Sequence, residues 1–143
     1  MGLGDWTLRA LVDTGAPITF FDRGAGDALG VNYGHAGAER GMVVVLGGTW
    51  DVQFEMVDLC LPVDPSISWT ARIAFASSPQ LVMPFQGVLG TDGFLDKFAV
   101  TFNRYYDYFV IERPDDFHER VGAHLLEDPV RTADTSWRRD RGK

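Results

Sequence analysis

The sequence predicts a mostly β domain, a small closed or folded barrel. Three observations lead there. Apolar residues recur in short runs or at alternate positions between Trp6 and Ile111. Gly and Pro punctuate the gaps between those runs. A sustained helical repeat of apolar residues begins only after Pro114. Short strands separated by turn formers must bury a face against one another, and a folded sheet or small barrel is the compact solution.

Composition fits that class. The 143 residues are one domain's worth of core. Hydrophobic residues at 45% and charged residues at 23% are ordinary for a globular chain. A net charge of -7 and a pI near 4.8 set the surface against phosphate backbones, so nucleic acid is not an expected partner. No apolar stretch approaches about 18 residues, so no membrane span is expected. Met1 to Trp6 lacks the basic-then-apolar order of a signal peptide. The single cysteine, Cys60, can close no internal disulfide and reads as a small buried residue. A cytoplasmic location is the expectation.

The elements follow in order. Trp6 to Val12 alternates as a strand and runs into Asp13-Thr14-Gly15-Ala16. Ile18-Thr19-Phe20-Phe21 is a second strand. Residues 24–41 are rich in Gly and Ala and read as loop. Met42 to Leu46 is apolar throughout. Trp50, Val52, Phe54 and Met56 then alternate, and Val57, Leu59 and Leu61 continue on the opposite parity. Gly47-Gly48 marks a hairpin between these runs, because Gly reaches the positive φ such turns need. The parity change near Met56-Val57 predicts a bulge.

Pro62, Pro65 and Ser66 mark a loop. Trp69, Ala71, Ile73 and Phe75 alternate as a strand that ends at Ser77-Ser78-Pro79. After Val88-Leu89-Gly90, Thr91-Asp92 can cap one short helix presenting Phe94, Leu95 and Phe98. Ala99 to Phe102 and Tyr108 to Ile111 read as a second hairpin. Beyond Pro114, Asp115 and Asp116 suit a helix start, and Phe117, Val121 and Leu125 recur every four residues. The expected organisation is a domain over 1–114, a helical extension over 115–128 and a disordered tail over 129–143.

The residues that carry chemistry are Leu11-Val12-Asp13-Thr14-Gly15-Ala16. A carboxylate that follows an apolar strand and precedes Thr-Gly stands at a strand end above a tight turn. The strand holds the base of the loop still, and Gly15 lets backbone approach closely. Thr14 sets a hydroxyl and an amide beside the carboxylate. A rigid, partly desolvated carboxylate has a tunable pKa. The tripeptide alone is weakly specific, and an aspartate capping a turn is the plain alternative. Its company narrows the choice: the Gly47-Gly48 hairpin follows it, and then the apolar-apolar-Gly segment Val88-Leu89-Gly90.

In these features the chain resembles the retropepsin-like (retroviral-type) aspartic proteases, over about residues 6–112. The run Leu89-Gly90-Thr91-Asp92-Gly93-Phe94-Leu95-Asp96-Lys97-Phe98 looks particularly like the bacterial members. The resemblance implies a barrel of the acid-protease type with a flap hairpin, and a homodimer in which each copy contributes Asp13. The two carboxyls would share a proton and activate a water against a peptide carbonyl. It implies that Thr14 braces the dyad, that Gly15 shapes the loop, and that Ala16, Gly47, Gly48 and Trp50 line the substrate cleft. Retroviral members usually carry an Asp after the Ala and an Arg after the later Gly; Pro17 and Thr91 stand there, so neither charge is left without the other.

Elementary electrostatics favours the same symmetry. Two carboxylates about 3 Å apart cannot both ionise, so their pKa values split, as in aspartic proteases generally. The chain carries one Asp-Thr-Gly and no internal repeat. A second aspartate must therefore come from a twofold-related copy. A competing site for the flap is Gly34-His35-Ala36-Gly37, which lacks flanking strands. His35, His118 and His124 are scattered and read as solvent-exposed. Asp92, Asp96, Asp115 and Asp116 read as helix-start charges. No Ser-His-Asp triad, phosphate loop or metal-ligand cluster is apparent.

The expected function is thus a homodimeric aspartic endopeptidase acting on a peptide or protein, with no cofactor or metal. The alternative is a proteolytically inactive module of the same fold, used for dimerisation or peptide binding.

Overall fold

A computed structural model describes residues 6–45, 47–79 and 84–122. The chain forms two compact units that divide between Lys97 and Phe98. Among the described residues, the first holds six strands and one short helix. In chain order these are β1 (Ala10–Val12), β2 (Phe20–Phe21), α1 (Arg23–Ala28), β3 (Glu39–Val45), β4 (Gly48–Leu61), β5 (Asp64–Ala76) and β6 (Gly87–Leu89). They make one sheet in the order β1-β6-β2-β5-β4-β3.

The protein is mostly β, as its pattern predicts, but no closed barrel forms among the described residues. The sheet is open, with β1 and β3 as its edges. Closure needs strands of comparable length and a consistent stagger. Here β4 and β5 run to 14 and 13 residues, whereas β1, β2 and β6 have three, two and three.

Each face of the sheet carries a buried cluster, and alternate residues supply them. On one face Phe20, Val45, Val52, Ala74, Ala76 and Val88 form a cluster. On the other, Phe21, Ala71, Ile73 and Phe75 pack with Ala25 of α1. This explains the parity change along β4. Trp50, Val52 and Phe54 pack on the first cluster, Val57 and Leu59 on the second. The strand changes which face it uses without any bulge: its pairing with β5 is regular from Val52↔Ala76 to Cys60↔Ser68 and shifts only between Cys60 and Leu61. Cys60 falls on the unused side of that distal stretch and is exposed, contrary to its expected burial.

Helix α1 lies within the region expected to be loop. Gly24 and Gly26 lower its intrinsic propensity, but its ends are well specified. The Asp22 carboxylate accepts the Ala25 N–H at 2.7 Å as N-cap. At the other end Gly30 adopts φ 76, Val31 N–H donates to Gly26 O, and Gly30 N–H donates to Asp27 O. That pair of bonds is a Schellman stop. Gly26 also leaves room for Tyr33, whose hydroxyl would lie 2.0 Å from a Cβ placed there.

The short helix expected after Val88-Leu89-Gly90 does not form. Gly93 adopts φ 95, outside the helical region. Its carbonyl accepts the Trp69 indole N–H at 2.9 Å, and its own N–H donates to Asp96 Oδ1 at 3.0 Å. The segment closes instead through Leu95 N–H to Gly90 O and Asp96 N–H to Thr91 O. Asp92 is not a helix-start charge but bridges to Ile18.

The second unit contains the expected hairpin, β7 (Ala99–Asn103) with β8 (Tyr108–Glu112), in the register Phe102↔Phe109. Then come α2 (Pro114–Phe117) and a single π-helical turn, His118–Gly122. Proline at the first helical position suits α2, since its missing N–H has no partner there. Residues 123–128 of the expected extension, the tail over 129–143, and His124 lie outside the described residues. None of the described helices is long and apolar enough to cross a membrane.

Candidate functional site

The order β1-β6-β2 places a late strand between two early, consecutive ones. β1 runs parallel to β6, and β2 antiparallel to it. The connection from β1 to β2, residues 13–19, must therefore cross over the C-terminal end of β6. That crossing is where Asp13-Thr14-Gly15-Ala16 sits, and Leu89-Gly90 lies beneath it. The spacing of the two motifs in the chain thus becomes one contact in space.

Backbone hydrogen bonds fix the crossing. Asp13 N–H donates to Leu89 O at 3.0 Å, Thr91 N–H to Ala16 O at 2.8 Å, and Asp92 N–H to Pro17 O at 3.0 Å. Within the loop, Ala16 N–H donates to Asp13 O at 3.2 Å. Gly15 N–H donates to Asp13 Oδ1 at 2.8 Å, an Asx turn that orients the carboxylate. Asp13 is half-buried, while Thr14 and Gly15 are exposed. Among the described residues no group bonds the other carboxylate oxygen of Asp13. Pro17 and Thr91 hold the crossing through their backbones.

Gly90 is buried, and glycine is required there. A Cβ would stand 2.2 Å from Ile18 O and 2.8 Å from Ala16 O. Its N–H lies past the end of β6 and donates to the hydroxyl of Thr19 at 3.1 Å. Thr19 is fully buried and held by its own backbone, with its N–H on Asp92 O and its carbonyl accepting Ala74 N–H. In the sequence Thr19 reads as one more strand residue. The available signal was a single polar side chain inside Ile18-Thr19-Phe20-Phe21.

The hairpin expected at Gly47-Gly48 forms between β3 and β4. Val45 pairs with Gly48, and Gly47, at φ 77, lies in the turn; Leu46 lies outside the described residues. Gly47 is exposed at the tip. Trp50 folds back over its own turn: its indole N–H donates to Val45 O at 3.3 Å, and its ring lies against Gly48. Trp50 and Val43 pack on the same apolar cluster as Ala16, so the hairpin and the Asp13 loop share one face of the sheet. Among the described residues, no hydrogen bond joins the tip to the loop.

The rival glycine-rich segment, residues 34–37, is a loop anchored to β4 rather than a hairpin. Gln53, almost fully buried, accepts Gly34 N–H at 2.8 Å and donates to Asn32 O at 3.0 Å and Glu55 Oε1 at 2.6 Å. His35, exposed as expected, shares that Glu55 oxygen through Nε2 at 2.9 Å. On β5, the Arg72 guanidinium stacks over Phe54 at 3.7 Å and bonds Glu39, which holds the Glu39 carboxyl below its ordinary range. No cluster of His, Cys, Asp and Glu suited to a metal ion is found among the described residues.

Comparison with family models, curated proteins and solved structures finds no match to the chain.

Proposed function

We propose that the chain is an aspartic endopeptidase acting as a homodimer, in which the Asp13 carboxyls of two copies activate one water. The observation that supports this reading is the setting of Asp13. A half-buried carboxylate stands at a strand end, with one oxygen oriented by the Gly15 amide at 2.8 Å and the other without a partner among the described residues. A group so placed has a fixed direction and one oxygen left for a water and a second carboxyl.

With two such groups side by side, one proton is held between them, since both cannot ionise at contact. The ionised carboxyl takes a proton from water as it attacks the peptide carbonyl. The protonated one gives its proton to the carbonyl oxygen, and the leaving amine is protonated as the tetrahedral intermediate collapses. Thr14 braces the pair and Gly15 shapes the loop. Ala16 with the hairpin residues Gly47, Gly48 and Trp50 forms the cleft, where an extended peptide adds backbone hydrogen bonds. The reaction needs no cofactor. The lone cysteine suits a reducing cytoplasm as its place of action.

The test compares wild type with Asp13→Asn on an unstructured protein at acid and neutral pH, with the assembly state followed by sedimentation. Wild type should be a dimer and cleave; Asp13→Asn should lose activity by about a thousandfold while still dimerising. Equal cleavage by both would exclude Asp13 as catalyst. A wild-type dimer that binds peptide and never cleaves would leave the inactive module.

A further inference from the structure

We infer that Thr19 is a positioning residue for Asp13, acting through a single peptide unit. The inference rests on the proposed role of Asp13, but the coupling itself is geometric. The unit joining Leu89 to Gly90 is bonded at both ends. Its carbonyl oxygen accepts the Asp13 N–H at 3.0 Å, and its N–H donates to Thr19 Oγ1 at 3.1 Å. A peptide unit is planar and turns as one piece. The hydroxyl at one end therefore sets the direction of the carbonyl at the other, and with it the backbone of Asp13.

The adjoining unit is held through Leu95 N–H to Gly90 O and Thr91 N–H to Ala16 O, but at the N–H end of this unit the hydrogen-bond partner among the described residues is Thr19. β6 ends at Leu89, so Gly90 N–H has no strand partner. Glycine is the residue whose backbone is least restrained by its own side chain. Thr19, by contrast, is anchored on both sides, to Asp92 O and from Ala74 N–H, and is wholly buried. It couples the long β5 strand to the loop that carries the carboxylate. Catalytic groups are sensitive to such support, because misplacement by about 1 Å can cost about a hundredfold in rate.

The experiment uses Thr19→Val, which keeps the shape and removes the acceptor, and Thr19→Ser, which keeps the hydroxyl. Thr19→Val should fold and dimerise, lower kcat by about tenfold to a hundredfold with KM unchanged, and speed amide exchange at Asp13 by at least about fivefold. Exchange in the β4–β5 pairs should change far less. Thr19→Ser should restore both readouts. Unchanged kcat and unchanged Asp13 exchange in a folded Thr19→Val protein would overturn the inference. So would an equal loss of protection at Asp13 and throughout β4–β5, which marks general destabilisation. If wild type has no proteolytic activity, the protease reading fails by itself and the exchange comparison still decides the coupling. Should Thr19→Val not fold, Thr19→Ser and Thr19→Cys carry the comparison: exchange at Asp13 should follow acceptor strength, Thr and Ser slow and Cys fast, and no such order would overturn the inference.

Discussion

A Cβ added to Gly90 would stand 2.2 Å from the carbonyl oxygen of Ile18. That oxygen and the carbonyl oxygen of Ala16, at 2.8 Å, are main chain, so neither can swing aside. Gly90→Ala should therefore cost about 3 kcal/mol or more, at the upper end for overpacking. The expected outcome is a large drop in the urea midpoint, together with loss of any activity that depends on Asp13. An alanine variant as stable as wild type would show that the crossing of residues 13–19 over β6 is looser than described.

Gln53 offers a second test, away from the candidate site. Its side chain is the sole polar one on β4 with only 1% exposure, and it satisfies Gly34 N–H and Asn32 O. Gln53→Leu keeps the volume and strands both backbone groups. A loss of about 2 kcal/mol is expected, with faster amide exchange at Gly34 and little change at Asp13. Equal exchange at Gly34 in both proteins would mean that the 32–38 loop is held by other means.

A third prediction concerns alkaline pH. Burial pushes the Tyr33 phenol up to about 12, against the opposing pull of Arg23, whose guanidinium lies 3.7 Å from the ring centre. The folded state thus holds this proton more tightly than the unfolded state, where the group titrates near 10. Its contribution is complete below about pH 10 and is lost as pH rises toward about 12, because unfolding then releases a proton. Chemical denaturation should show stability falling across that window, and Tyr33→Phe should remove the fall. At neutral pH the Phe variant should be as stable as wild type or more so, by up to about 1 kcal/mol, since the Tyr33 hydroxyl is buried with no hydrogen-bond partner among the described residues. A clear loss of stability at pH 7 would reveal a bond to that hydroxyl.

The elements legible in the sequence were those with a strong period or a glycine turn. Trp69 to Phe75 alternates and does form a strand, and Gly47-Gly48 does mark a hairpin. What was hidden depended on tertiary partners. Two glycines masked α1, although Asp22 and Gly30 already spelled its cap and stop. The short helix after Gly90 was lost because Gly93 gives its carbonyl to Trp69, a residue 24 positions away. At the candidate site, Asp13 and Gly90 were readable as motifs, but their meeting through Leu89 required the strand order. Thr19 was invisible because a threonine in a strand is ordinary until its hydroxyl is seen to end a buried N–H.

The two-sided burial of residues 73–76 in β5 has a consequence for how its pairing is kept in register. In a sheet with one wet face, slipping by one residue would push oily side chains into water. Here both sides are oily, so polarity offers no such safeguard. Size does: Ala74 and Ala76 face one way, Ile73 and Phe75 the other. A slipped strand would drive a phenyl ring into the space of a methyl group and leave a hole behind it, so the alternation of small and large residues is what makes the correct alignment unique.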